Sequence, residues 1–419
     1  MNAKNQALQE TMLLARFNTI RAATLTIAAP LSAEDMVVQS MPETSPIKWH
    51  LAHTSWFFET FVLLEFVPAY QAFSPHFKVL FNSYYLCLGD RHPRPQRGMI
   101  TRPSVSDILA YRNHVDKAIQ QLLKEQLPHE IQNLIALGLQ HEQQHQELML
   151  TDLKHLLSLN PLSPAYLSTP FPAAISLAPL EWISYKATTS YVGHEGTSFC
   201  FDNETPRHLS HIPAFSLANR LATNGEYLTF IQSGAYAEPQ WWLSEGVEWI
   251  NRENAHHPLY WRYQDGEWFE FTLHGLIPLQ INNPVCHLNY FEADAFARFS
   301  GARLPTEFEW EHAARTHSLS TGSSQGSPDP CEENNPTPLW HLYGQVWQWT
   351  CSAYAAYPGF KPCSGAVGEY NGKFMVNQYV LRGSSIATSA DHARISYRNF
   401  FPTHARWQFT GLRLAKSST

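Results

Sequence analysis

Cysteine is scarce and scattered. The chain of 419 residues carries six, Cys87, Cys200, Cys286, Cys331, Cys351 and Cys363, and no two stand in CxxC spacing. That argues against a zinc knuckle and against a disulfide framework as the source of stability. Long apolar runs are missing too, with none approaching the roughly 18 residues of a membrane helix. The opening MNAKNQALQETMLLARF places acidic and polar residues where a signal peptide carries an unbroken apolar stretch, so a soluble, cytoplasmic protein is expected. Charge is thin. Only 16% of residues are Asp, Glu, Lys or Arg, and 29 basic against 36 acidic side chains leave −7, with no basic run. Nucleic acid and anionic membrane surfaces are therefore not the expected partners.

What the chain has instead is histidine and aromatic residues: 21 His, 13 Trp and 13% aromatics overall. Against so little charge, this favours an enzyme with a lined pocket over a solvated scaffold. The length exceeds what one core usually serves, so two domains are expected.

The organising stretch is LQHEQQHQELMLTDLKHLL, residues 139–157. At about 100° per residue on a helix, His141 and His145 sit one turn apart on one face, as two imidazoles must to reach one metal ion. Glu147 completes the string HxxxHxE but lies about 200° around the helix from His145, so the third ligand should come from another helix. Asp152 returns to the metal-facing stripe, where it would partner an imidazole N–H.

Upstream, helical spacing runs from Leu8 to Ala28 and stops near Pro30. Ser32 with Glu34 and Asp35 has the form of a capped helix start that Pro42 closes. A second helix begins with Ser45 as N-cap and Pro46 at its first position, and reaches about residue 65. On it His50 and His53 share a face, close to Trp49, Trp56 and Phe57, and either histidine would serve as the missing ligand. The segment FNSYYLCLGDRHPRPQRGMITRPS then brings Tyr84, Tyr85, Arg91, Arg94, Arg97 and Arg102 among prolines. Such a stiff loop should hold its arginines exposed and ready to grip carboxylates. A third helix follows Ser104 to about Leu127, and a fourth runs from Pro128 to about Leu159. Four helices make a bundle over residues 1–160.

Prolines 161, 164, 170, 172 and 179 mark a linker over 161–180. From 181 to 419 the texture is short strand-like runs and turns, with helices at Asn224–Ser233, around YFEADAFARFSG, and in PTEFEWEHAAR after Pro305-Thr306. The fold class is thus α+β in two domains.

Six blocks here occur in a familiar order: LATNGEYLTFIQSGAY, YFEADAFARFSGARLPTEFEWEHAAR, LYGQVWQWT, VLRGSS, SYRNFF and FTGLRLA. This half resembles the formylglycine-generating-enzyme family, a C-type-lectin-like fold. Two departures stand out. The usual GNVWEW reads Gly344-Gln345-Val346-Trp347-Gln348-Trp349, a change for which the resemblance implies the loss of a calcium or polar contact. Ser396 stands near the last blocks, where the formylglycine enzymes have paired copper-binding cysteines, and this argues against oxidation of a sulfatase cysteine.

Joined to SPIKWHLAHTSWFFE and HEQQHQE, the chain resembles over nearly its whole length the ergothioneine-type sulfoxide synthases, whose N-terminal domain is DinB-like. The resemblance implies Fe(II) held by His53, His141 and His145. It also implies O2-dependent coupling of the sulfur of cysteine to C2 of the imidazole of Nα-trimethylhistidine (hercynine). Gln144 matches a glutamine that contacts the imidazole substrate. FNSYY resembles the branch whose tyrosine pair serves catalysis, here Tyr84 and Tyr85. Arg94 and Arg97 would hold the cysteine carboxylate, Asn399 the hercynine carboxylate, and Phe400 and Trp407 would flank its quaternary ammonium. The branch using γ-glutamylcysteine has an aspartate and an arginine where Phe401 and Ala405 stand here, which implies free cysteine. The alternatives are γ-glutamylcysteine as donor, an ovothiol-type synthase acting on plain histidine, and a non-catalytic metal- or thiol-binding protein.

Overall fold

The computed structural model describes residues 3–171, 177–317, 339–363 and 365–417. Cys331 lies outside them. The chain divides into two compact units, one running to Leu159 together with Gly365–Val367, the other formed by the rest from Asn160.

The first unit is built on four long helices: α1 (Ala3–Ala28), α2 (Ile47–Phe58), α3 (Val105–Leu122) and α4 (His129–Ser158). Every residue of α2 is buried, as befits a helix that packs against both α3 and α4. It continues into a π-helical turn, Glu59–Leu63. There the Glu59 carboxylate accepts from the hydroxyls of Tyr70 and Tyr111 at 2.8 and 2.7 Å. A second buried carboxylate ties the helices together. Glu142 of α4 accepts from Arg21 of α1, Arg112 of α3 and the Thr24 hydroxyl. Burial works to raise its carboxyl, but Arg112 and Arg21 outweigh it and hold the group at about 2.

Three local expectations are corrected. Ser32 and Asp35 exchange the reciprocal bonds of a cap, yet only a turn follows over residues 33–37. The stretch before Pro42 is too short to repay helix nucleation. At the start of α2 the capping position is Pro46 in extended conformation, without a side-chain cap. Ser45 instead donates its backbone N–H to Asp152 at 2.8 Å and accepts from Arg97 at its Oγ. Finally α3 stops at Leu122, where the N–H groups of Lys124 and Glu125 close tight turns to Gln121 and Leu122 instead of continuing the helix.

In the second unit one sheet has the order β10-β9-β8-β11, from Asn399–Pro402, Gln378–Gly383, Trp347–Ala353 and Thr410–Gly411. Another joins β1 (Trp182–Tyr185), β4 (Phe215–Ala218) and β12 (Ala415–Ser417), and β2 (Thr188–Val192) pairs with β3 (His208–Ile212). A three-stranded meander comprises β5 (Trp261–Gln264), β6 (Glu267–Thr272) and β7 (Gly275–Pro278). Helices α5 (Asn224–Gln232), α7 (Tyr290–Phe299) and α8 (Glu307–Thr316) each open with a reciprocal capping box. Helix α6 (Ser244–Glu253) lies outside the helices expected from the sequence, and no side chain caps its start.

The departure at Gln348 is fully accommodated. Its Oε1 accepts from Trp310 and Arg413 at 2.9 and 3.0 Å, and its Nε2 donates to the Leu342 carbonyl. The proline-rich segment is no loose tether either. Ser163 accepts from Arg262, and the backbone N–H groups of Tyr166 and Leu167 donate to Leu273. Among the described residues no helix is long and apolar enough to cross a membrane.

Candidate metal centre

Close approach of α2 and α4 is permitted by one residue. A Cβ on Gly138 would stand 2.6 Å from the Phe58 ring and 2.9 Å from Phe57, so only glycine lets the helices meet one turn before His141. Across that contact, ligand atoms of His53, His141 and His145 all lie within 4.8 Å of one another, and all three residues are buried. His53 Nδ1 stands 2.6 Å from the Phe81 carbonyl. A carbonyl only accepts, so Nδ1 carries the hydrogen and Nε2 is left as a lone pair. That lone pair is 3.2 Å from His141 Nε2, the separation of two nitrogens each about 2.1 Å from a common ion at an angle of about 100°.

The His53 ring is sandwiched between indoles. Trp49 lies 4.5 Å away at 14° between planes, and Trp56 5.4 Å away at 16°. His145 Nδ1 is 2.8 Å from His50 Nδ1, and His50 Nε2 is 3.1 Å from Asp152 Oδ2. His141 Nδ1 is buried with no hydrogen-bond partner. Burial pushes the imidazoles of His53 and His145 well below the usual histidine range and that of His141 down to about 4. All three are neutral near pH 7 and offer lone pairs. The cluster includes no carboxylate, and Glu147 is not part of it. Three neutral nitrogens fit a divalent first-row metal and leave its charge unneutralised for anionic substrate groups.

The tyrosine–arginine loop borders this cluster through α2. Tyr85 is buried, its ring 5.6 Å from Trp56 and 5.0 Å from Phe61. Tyr84 is half-buried and its hydroxyl accepts from Arg94 Nη1 at 2.6 Å. The expectation of exposed arginines fails at Arg97, which is 4% exposed. Its guanidinium lies 3.4 Å over the Trp49 ring and donates to the hydroxyls of Ser45 and Ser83 at 2.8 and 3.2 Å. An indole face and two hydroxyls replace the water it gives up. Burial first, and Arg94 second, push it down to about 9, and its Nε has no partner.

Gln144 is half-buried on α4 next to His145. Asn399, Phe400 and Phe401 belong to β10 in the second unit. Asn399 Oδ1 accepts from the Phe400 N–H at 2.9 Å. Phe400 stacks on Tyr354 at 4.1 Å and 11°, and Phe401 pairs with Tyr379 of β9. Ala405 is buried and Trp407 half-buried.

Sequence reasoning missed His50 as a partner of His145, Gly138 as the contact point, and the two indoles as a clamp. Asp152 was singled out on the right stripe, but it reaches His145 only through His50.

The DinB superfamily model matches residues 16–149, and the sulfatase-modifying factor enzyme 1-like domain matches residues 181–329 and 317–418. The hercynine oxygenase of Mycobacterium tuberculosis is 30% identical over 408 residues, covering 91% of this chain and 93% of that protein. That of Mycolicibacterium smegmatis is 29% identical over 445 residues, covering 98% of each. Ergothioneine biosynthesis protein 1 of Schizosaccharomyces pombe is 28% identical over 244 residues, 54% of this chain and 29% of its own length. With both halves matched in order and the similarity sustained from end to end, the chain belongs to the hercynine oxygenase family, a DinB-like bundle fused to a sulfatase-modifying-factor-like domain.

Proposed function

We propose that this protein is an O2-dependent, Fe(II)-containing sulfoxide synthase of ergothioneine biosynthesis. It joins the sulfur of cysteine to C2 of the hercynine imidazole and yields hercynylcysteine sulfoxide. The observation that carries the reading is the convergence of three neutral, buried imidazoles from two helices in a chain of this family. The reaction balances: a thiol S–H and an imidazole C–H are lost, one oxygen atom enters the sulfoxide and the other leaves as water. Sulfur and the imidazole C2 give up two electrons each, and O2 takes the four.

His53, His141 and His145 would hold Fe(II), which would supply the redox chemistry between O2 and the thiol. The protein's own side chains do the rest. Arg97, buried and with Nε unpartnered, is suited to the cysteine carboxylate, with Arg94 beside it. Tyr84 accepts from Arg94 at its oxygen, so its phenolic proton points away from the guanidinium, toward other acceptors. Tyr84 or Tyr85 supplies a proton or an electron to the oxygen that is being reduced. Gln144, half-buried beside His145, orients the imidazole substrate. At Phe401 and Ala405 no charge is offered to a glutamyl group, which supports free cysteine as donor.

Anaerobic reconstitution with Fe(II), followed by O2 uptake and product mass, tests this. Hercynine plus cysteine should give the sulfoxide. Preference for γ-glutamylcysteine would overturn the donor, preference for plain histidine would indicate the ovothiol type, and metal uptake without turnover would indicate a binding protein. His141→Ala should bring bound iron from one per chain to near zero, and full iron retention would refute the ligand set.

A further inference from the structure

We infer that His50 and Asp152 are positioning residues that decide which ring nitrogen His145 presents to the metal. The inference rests on the metal centre proposed above and adds a determinant to it.

Asp152 Oδ2 receives two groups, the Ser45 backbone N–H at 2.8 Å and His50 Nε2 at 3.1 Å. A carboxylate only accepts, so the hydrogen of neutral His50 is on Nε2. Its Nδ1 is then a bare acceptor, 2.8 Å from His145 Nδ1. Two bare nitrogens at that distance would repel, so His145 Nδ1 must carry hydrogen. His145 Nε2 is thereby the lone pair, and it is the atom left to join His53 and His141. The order of hydrogens runs one way, from His145 through His50 to Asp152.

This arrangement differs from the other two ligands. His53 obtains the same tautomer from a backbone carbonyl, and His141 Nδ1 has no partner. Only His145 depends on side chains for it. The relay also couples helices: α2 supplies one ligand at His53 and, one turn earlier, orients a second on α4. Asp152 lies two turns beyond His145 on α4, so His50 bridges two points of the facing helix. Outer partners of this kind typically alter metal affinity by about 10–100-fold.

Two experiments on the full-length protein decide the matter. In metal-free wild type with 15N-labelled histidine, ring nitrogen shifts should report hydrogen on Nδ1 of His145 and on Nε2 of His50. The opposite assignment overturns the inference, and the reading is made on the wild type, with His50→Gln used to assign the signals. The second experiment is titration with Co(II), whose ligand-field spectrum reports the number of nitrogen ligands. His50→Phe and Asp152→Leu should weaken Co(II) binding by about 10–100-fold and shift the spectrum toward fewer nitrogens. Asp152→Asn should stay within about threefold of wild type, because the Ser45 N–H orients the amide oxygen into the same acceptor position. Wild-type affinity and spectrum in His50→Phe would overturn the relay alone. Failure of the wild type to bind Co(II) or Fe(II) would remove the metal centre, and the relay with it.

Discussion

Tyr84 and Tyr85 are neighbours in sequence with unlike surroundings. One hydroxyl accepts from Arg94, while the other ring is buried against Trp56, itself stacked on His53. If a phenol supplies the proton, Tyr84→Phe or Tyr85→Phe should retain stoichiometric iron and slow sulfoxide formation about 100-fold, the lower end for general acid–base catalysis. Normal turnover by both single variants and the double variant would dismiss the role. Cys200 offers a separate check. Burial, then the nearby Glu204, push its thiol up to about 11. Its alkylation rate, followed by peptide mass, should therefore keep rising about tenfold per pH unit from 8 to 10, because the thiolate is the reacting form. A plateau near pH 9 would show that the thiol titrates normally.

At the scale of elements, the pairing of α2 with α4 rests on the missing Cβ of Gly138. Gly138→Ala places a methyl within 2.6–2.9 Å of the Phe58 and Phe57 rings. Overpacking of this kind costs about 1–3 kcal/mol. The displacement falls one turn from His141, so metal affinity should drop in parallel with the denaturation midpoint. An unchanged midpoint and affinity would show that the helices do not need that contact. Sequence period located α1 and α4 well and carried α3 about five residues too far, while start signals at Asn224-Gly225 and Pro305-Thr306 located α5 and α8, and apolar spacing located α7. It overlooked α6, which no side chain caps, and it overstated the Ser32–Asp35 turn, where cap bonds form without a helix behind them.

Across the molecule, each unit carries its own buried charge network, and in the bundle that network is centred on Glu142. Removing its charge leaves Arg112 buried without its carboxylate partner, while Arg21 keeps Asp116 at 2.6 Å, and breaking a buried pair in this way costs about 3–5 kcal/mol. Glu142→Gln should accordingly move the helical unit's unfolding to lower urea. The same midpoint as wild type would mean that the two guanidiniums find other partners. In the second unit Glu311 pairs with Arg382, and Glu307 with Arg398, in equally buried positions. None of these ion pairs is visible in the sequence, because their members lie 30 to 121 positions apart or on different elements.

Periodicity and block order were enough to read a helical part followed by a strand-rich part, to put His141 and His145 on one face, and to turn Glu147 away from it. Those features depend on local geometry, which spacing along the chain already encodes. Choosing between His50 and His53 was a different problem. Both share a face of α2, and only the register in which α2 meets α4 across Gly138 directs His53 to the cluster and His50 to His145 and Asp152. Arg97 is the same case: a proline-rich loop reads as exposed, but Trp49 and two serine hydroxyls from separate segments make a buried place for it. Contacts between residues far apart in sequence leave no periodic trace, so the tertiary packing alone settled them.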